Sequence, residues 1–178
     1  MATVYIALGS NLGDRERALK LALQKIGELP NLRLVKTSSF YDTDPVDVPP
    51  QGKFLNAAAK FEIDSAACME IFHSKPNEPI PEKLWSAALA EANELLSQLQ
   101  KIEVELGRPQ EHKQSDPRTI DLDLLDYGGL PLVASGLQVP HPRLHQRRFV
   151  LEPLVEIEPE WFHPVLAETA AALLKKLP

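Results

Sequence analysis

Trp85, Ala88, Leu89, Ala92, Leu95, Leu96, Leu99, Ile102 and Leu106 recur at three- and four-residue intervals, the signature of one amphipathic helix. No other apolar pattern in the chain is as long. Such a stripe must be buried against something, and most of the remaining apolar residues alternate with the period of a strand. Val4, Ile6 and Leu8 alternate with Tyr5 and Ala7, which predicts a half-buried strand. Ala57, Ala59, Phe61 and Ile63 do the same, as do Ile120, Leu122 and Leu124 around Asp121 and Asp123.

Between these anchors the punctuation is clear. Gly9-Ser10-Asn11-Leu12-Gly13 ends the first strand, and Asp14 can cap a helix whose apolar residues Ala18, Leu21, Ala22, Ile26 and Leu29 run to about Pro30. Leu32 to Tyr41 is rich in Thr, Ser, Val and aromatics and reads as one strand. A three-proline loop follows from Thr43 to Gly52. Lys75-Pro76-Asn77-Glu78-Pro79-Ile80-Pro81 supports neither helix nor ladder, because proline lacks the amide donor. Tyr127-Gly128-Gly129 should turn the fourth strand back through a short hairpin. Two short helices, after Gln146 and from about Val165, should close the chain. The order β-α-β-β-α-β is the split βαβ pattern of a ferredoxin-like α+β fold with an antiparallel sheet, an extra hairpin and C-terminal helices. We read 1–178 as a single domain, with part of about 64–96 inserted.

Composition narrows the class. The 178 residues are 44% hydrophobic and 25% charged, ordinary globular usage, and no apolar run is long enough for a membrane span. A lone cysteine, Cys68, excludes an internal disulfide and suits a reducing cytoplasm. Its apolar neighbours make a packed thiol the simplest reading. The formal charge of -6 argues against a broad nucleic-acid surface. Against that acidity, Arg108, Lys113, Arg118 and the run from His141 to Arg148 form a basic focus suited to a small anionic ligand. A soluble monomer working on small molecules is the expectation.

Asp121 and Asp123 lie at i and i+2 of a strand and so share one face. Two carboxylates side by side repel unless a cation sits between them, and magnesium commonly uses one or two carboxylates plus substrate phosphates. The alternative is a solvated edge strand. Because the pair repels, loss of either member should leave the fold unchanged or firmer. His141 between Pro140 and Pro142 is either structural or a ligand. Phe54 and Phe149, each beside polar loop segments, are either core or stacking surfaces. The Gly9–Gly13 turn lacks the Lys-Ser/Thr of a phosphate loop and reads as a tight turn.

Taken together, these segments carry a resemblance. Gly9-Ser10-Asn11-Leu12-Gly13, Phe54-Leu55-Asn56-Ala57-Ala58, Gly107-Arg108, Pro117 through Leu124, and Val139-Pro140-His141-Pro142-Arg143-Leu144 through Leu151 come in an order similar to the 6-hydroxymethyl-7,8-dihydropterin pyrophosphokinases of folate biosynthesis. The resemblance runs from Tyr5 to about Pro159. It implies ATP as co-substrate, two magnesium ions held by Asp121 and Asp123, and catalytic arginines at Arg108 and Arg118. It places the pterin between Phe54 and Phe149, with Asn56 reading its edge and Gly9, Thr43, Pro45 and Val46 lining the slot. Gln100, Glu103, Lys113, Arg118, Leu124, His141 and Arg147 match positions around ATP. The chain departs from many relatives at Gln110-Glu111-His112-Lys113-Gln114-Ser115-Asp116, where a Trp-Gly pair and further cations are lost. That departure predicts weaker closure of this loop over ATP. A nucleotidyltransferase also pairs a Gly-Ser turn with two aspartates, but at far shorter spacing than Ser10 to Asp121. A binding module without chemistry is the third reading, and the presence of Asp121, Asp123 and His141 speaks against it.

Overall fold

The alternation of Val4, Ile6 and Leu8 builds β1 (Ala2–Ser10), the central strand of a computed structural model that describes residues 1–46, 49–75, 78–109 and 116–178. Asp14 caps α1 (Arg15–Gly27), its carboxylate accepting from the Arg17 N–H at 3.0 Å. The helix ends before Pro30 can interrupt it. Then come β2 (Leu32–Thr37), β3 (Tyr41–Thr43) and β4 (Phe54–Ile63). α3 (Glu82–Glu105) carries the long apolar stripe, and β5 (Asp121–Tyr127) carries the paired aspartates.

The sheet order is β2, β4, β1, β5, with β3 following β2 along the same edge of β4, and every pairing is antiparallel. Val4, Ile6 and Leu8 of β1, Ala57, Ala59 and Phe61 of β4, and Leu122 and Leu124 of β5 point to one face, where α1 and α3 bury them. This is the expected split βαβ core, a layer of helices on an antiparallel sheet.

Several expectations are corrected. The segment from Leu32 to Tyr41 is two strands, because Ser38 takes over the ladder with its side chain: its N–H donates to Ala58 O at 2.9 Å, while its Oγ accepts from Ala58 N at 3.0 Å. A short helix, α2 (Ala66–Phe72), which no sequence pattern announces, lies at the start of the segment read as partly inserted, capped by Ser65 and packed through Ala67, Cys68 and Ile71. Gly128 and Gly129 do turn the chain, both with positive φ, but among the described residues no strand returns to pair with the free edge of β5. The hairpin is instead a separate ribbon of β6 (Leu132–Ala134) and β7 (Leu137–Val139). After α4 (Arg148–Ile157), the segment around Val165 belongs to a second ribbon, β8 (Phe162–His163) with β9 (Glu168–Thr169), so α5 starts only at Ala170 and runs to Lys175.

These C-terminal helices change the character of the sheet. β1 is buried on both faces, not half-buried: Tyr5 packs with Ala58 and Leu125 against Val150, Leu151 and Leu154 of α4, with Trp161 and α5 behind them. A bulge in the β1–β5 register between Tyr5 and Ile6 lets Leu125 turn to that face while Leu124 and Tyr127 stay in the first core. Among the described residues no helix is long and apolar enough to cross a membrane.

Candidate active site

The second face of the sheet is covered at one end by α4 and left open at the other. The open end is floored by small residues. Gly9 lies between Asn56 on one side and Asp121 on the other, and Ala7 lies between Ala58 and Asp123. Directly opposed residues of antiparallel strands share a face, so Asn56, Asp121 and Asp123 all look over this floor. A Cβ on Gly9 would sit 2.9 Å from the Asn56 side-chain oxygen, so a larger residue there would push Asn56 aside.

Around the free edge of β5 opens a cleft of about 790 Å³. The C-terminal half of α3 supplies Gln100 and Glu103, the edge strand Asp121, Asp123 and Leu124, the β6–β7 ribbon Leu137, and the following loop His141. Arg108 lines it as well.

Charge is concentrated where the cleft meets the small-residue floor. Arg108 donates to Asp121 Oδ1 at 2.7 Å, and Arg118 donates to Asp121 Oδ2 at 2.8 Å. Arg147, at the N-terminus of α4, pairs with Asp123 at 3.7 Å and lies 5.5 Å above the Phe149 ring. The two aspartates keep 25% and 34% of their side-chain surface exposed, the arginines that hold Asp121 only 12%. Burial and then the charge of Asp121 push the Asp123 carboxyl up, and Arg147 opposes them. Glu103 is 6% exposed. Its Oε1 accepts the Leu122 N–H at 2.7 Å and also the Arg108 guanidinium. Burial pushes its carboxyl up to about 7 in spite of those donors. His141 is anchored by its own N–H to Leu125 O at 2.8 Å. Burial, then Arg147 and Arg143, lower its imidazole to about 4, so it is neutral at physiological pH. Its Nδ1 accepts from Arg143 N at 3.2 Å, which leaves the Nε2–H to donate.

Residues expected to line a pterin slot lie two strands from β5, on β4 and beyond it. Thr43 faces Phe54 across the β3–β4 pair, and its Oγ1 accepts from Asn56 Nδ2 at 2.7 Å. Phe54 shares the face of Asn56 by strand parity and is half-buried. Phe149 sits in the first turn of α4, partly packed on the second core. Pro45 and Val46 follow β3 in irregular chain, Val46 being 57% exposed. Lys113 and its neighbours from Gln110 to Ser115 lie outside the described residues.

One residue of the Gly9–Gly13 turn does more than turn. Asn11 is buried, accepts the Arg118 N–H at 2.8 Å, donates its own N–H to Arg118 O at 3.2 Å, and donates from Nδ2 to Gln51 at 2.7 Å. It therefore ties the end of β1 both to the loop carrying Arg118 and to the loop before β4. An asparagine just past a strand end is the available signal for such a tie; nothing in the sequence around Gln51 announces its partner.

Adjacent carboxylates, three converging guanidiniums and a neutral imidazole donor stand at the open end of a split βαβ sheet, a strongly charged cleft on an α+β protein. The family model described as 7,8-dihydro-6-hydroxymethylpterin-pyrophosphokinase (HPPK) matches residues 5–77 and 83–159. The chain belongs to that family, and its relatives are pyrophosphokinase enzymes.

It is 39% identical over 153 residues to the 2-amino-4-hydroxy-6-hydroxymethyldihydropteridine pyrophosphokinase of Bacillus subtilis, covering 86% of this chain and 76% of that one. To the enzyme of the same name from Aquifex aeolicus it is 35% identical over 165 residues, 93% of this chain and 86% of the other. It also matches 20% of a much longer relative, the folic acid synthesis protein fol1 of Pneumocystis carinii, at 34% identity over 98% of this chain. Among solved structures, an HPPK-DHPS in complex with substrates aligns over 98% of this chain with a TM-score of 0.63. Wild-type Plasmodium falciparum HPPK-DHPS aligns over 99% with a TM-score of 0.57. These two are 12% and 13% identical, and the chain spans 42% and 43% of their length, so they speak to the fold alone.

Proposed function

We propose that this protein transfers the β,γ-pyrophosphate of ATP to the hydroxymethyl oxygen of 6-hydroxymethyl-7,8-dihydropterin. A bond forms from that oxygen to the β-phosphorus, the bond from the β-phosphorus to the α,β-bridging oxygen breaks, and AMP leaves with the electron pair. The hydroxyl proton is lost to solvent. The observation that carries the reading is the row Asn56, Gly9, Asp121 across three adjacent strands. Neighbouring strands are about 4.8 Å apart, so a side chain able to read a heterocycle edge stands about 10 Å of backbone from a phosphate-directed carboxylate. A flat bicycle with a short alcohol arm spans that gap.

The donor set fits magnesium. Asp121 and Asp123 present oxygens to an open cleft, their mutual repulsion favours a shared cation, and no group of three or more acidic, histidine or cysteine ligands exists among the described residues. Two protein carboxylates, with water and phosphate oxygens completing the shell, is how this ion is commonly held. Bound there, two magnesium ions would neutralise the triphosphate and fix its orientation. The chain's own groups do the rest. Arg108 and Arg118 both donate to Asp121 and so bring two positive charges beside its oxygens, near where negative charge would develop during transfer. Glu103 holds Arg108 from behind. Arg147 and the Nε2–H of His141 address further phosphate oxygens, and Gln100 and Leu124 line the nucleotide side. Phe54 and Phe149 offer the two faces for the pterin.

The decisive experiment incubates the protein with ATP, magnesium and 6-hydroxymethyl-7,8-dihydropterin and follows the nucleotide product. AMP should form in equal amount with pterin diphosphate. Release of ADP or of free pyrophosphate would overturn the reading.

A further inference from the structure

Glu156 sits in the last turn of α4 and is exposed, yet its carboxylate gathers contacts from more than a hundred residues away. Both of its oxygens accept from the Ser39 N–H at 3.0 Å. Oε1 also accepts from Ser39 Oγ at 2.9 Å, and Oε2 from the Tyr41 hydroxyl at 2.7 Å. Lys36 Nζ donates to the carbonyls of Glu156 and Ile157, at 3.5 and 3.3 Å, satisfying acceptors that the end of a helix leaves without intrahelical donors. The contacts fall on the gap between β2 and β3. There Ser38 substitutes its side chain for the ladder, and Ser39 N–H, released from sheet pairing, is caught by the carboxylate. The hydrogen bond to Glu156 pushes the Tyr41 hydroxyl up to about 12, so this donor keeps its proton at any physiological pH.

Beyond the gap, β3 pairs Tyr41 with Asn56 and Thr43 with Phe54, and Thr43 Oγ1 accepts from the Asn56 amide. We infer that Glu156 is a positioning residue for the pterin slot: by clamping Ser39 and Tyr41 it sets where β3 starts, and hence how Thr43 orients Asn56. The inference rests on the proposed pterin role of Asn56. The same helix carries Phe149 seven residues earlier, about 10 Å along its axis. One rigid element thus fixes both the stacking ring and, through β3, the edge-reading amide. An arrangement made only to hold α4 would not require the carboxylate to engage the very segment that presents Thr43.

Two kinds of measurement test this. Glu156→Ala should raise the pterin KM about five- to tenfold, the scale of one lost hydrogen bond, with kcat within about twofold and the KM for ATP unchanged. Glu156→Gln, which keeps an acceptor, should recover most of that loss. Tyr41→Phe should show part of it, and Tyr41→Phe combined with Glu156→Ala should be no worse than Glu156→Ala alone, since both act through one route. Independently of turnover, the side-chain amide resonances of Asn56 should shift in Glu156→Ala and return towards their original position in Glu156→Gln. An unmoved pterin KM, or unmoved Asn56 resonances, would overturn the inference. So would a parallel fall in kcat and in the denaturation midpoint together with a rise in both KM values, which would show a purely structural brace. If the unaltered protein does not convert the pterin, the functional reading fails by itself, and the Asn56 resonances still decide whether the tie exists.

Discussion

Asp121 answers to two arginines, and that alters what its loss should do. Repulsion between the aspartates suggested that removing one would leave the fold unchanged or firmer. Three guanidiniums and a buried glutamate now surround the pair, so Asp121→Ala takes a carboxylate partner from two arginines that are only 12% exposed. Breaking a fully buried pair costs about 3–5 kcal/mol; with Asp121 itself a quarter exposed, we expect on the order of 1–3. Asp123→Ala, whose arginine is farther away, should cost less stability. Both should lower turnover by several orders of magnitude; retention of more than about a tenth of the rate, a difference of only about 1.4 kcal/mol, would remove them from the chemistry. A second residue-scale effect lies outside the site. Burial pushes the Asp126 carboxyl up to about 6, against donors that include the Gly129 N–H. A raised folded-state value means that the folded protein holds the proton more tightly. The contribution is therefore complete below about pH 4 and lost as pH climbs through 6, a change on the order of 2–3 kcal/mol. Urea midpoints at pH 4.5 and 7.5 should show Asp126→Asn gaining on the unaltered protein at the higher pH. An equal difference at both would refute this.

Elements differ in how openly the sequence declares them. β1, α1, α3 and β5 were readable because each carries several repeats of its own period, and Asp14 marked a helix start. α2 has just under two turns, too little to show a period. Its stability comes from packing rather than propensity. The gap after Thr37 was hidden because serine and aromatic residues suit a strand; only the tertiary position of Ala58 shows that Ser38 has left it. The site divides in the same way. Strand parity alone put Asp121 and Asp123 together; local charge marked Arg108, Arg118 and Arg147 as part of a basic focus, but no spacing announces that they converge from three separate segments, and family resemblance supplied their roles. α4 illustrates what its elements carry: Phe149 at its start and Phe54 at the head of β4 present the two proposed pterin faces. Phe54→Ala and Phe149→Ala should each weaken pterin binding about tenfold or more, stacking being worth roughly 1–3 kcal/mol per ring, while affinity for a non-hydrolysable ATP analogue stays put. Matched losses of both affinities and of stability would make the rings ordinary core.

The whole molecule is organised on one main sheet with a core on either face, and the two tryptophans report on different sides. Trp85 packs against the α1–α3 core, and Trp161 is buried in the α4–α5 core. β1, β4 and β5 contribute alternate residues to both, so neither core can dissolve without unpairing strands that the other needs. Leu99→Ala in the first and Leu151→Ala in the second should each cost about 2–5 kcal/mol. Fluorescence from variants retaining a single tryptophan should then follow one shared unfolding curve in urea. Separate midpoints for Trp85 and Trp161 would show that the faces melt independently.

The floor of Gly9 and Ala7 implies an unusual pattern of tolerance to mutation. What these positions contribute is vacancy, and vacancy has no conservative replacement. In a saturation library, fitness at Gly9 should track side-chain volume and be indifferent to polarity or charge, with alanine already impaired because its methyl meets the Asn56 oxygen. An exposed residue such as Arg33 should show the reverse, accepting bulk freely. The most stringent positions of this protein would then be ones that offer no functional group at all.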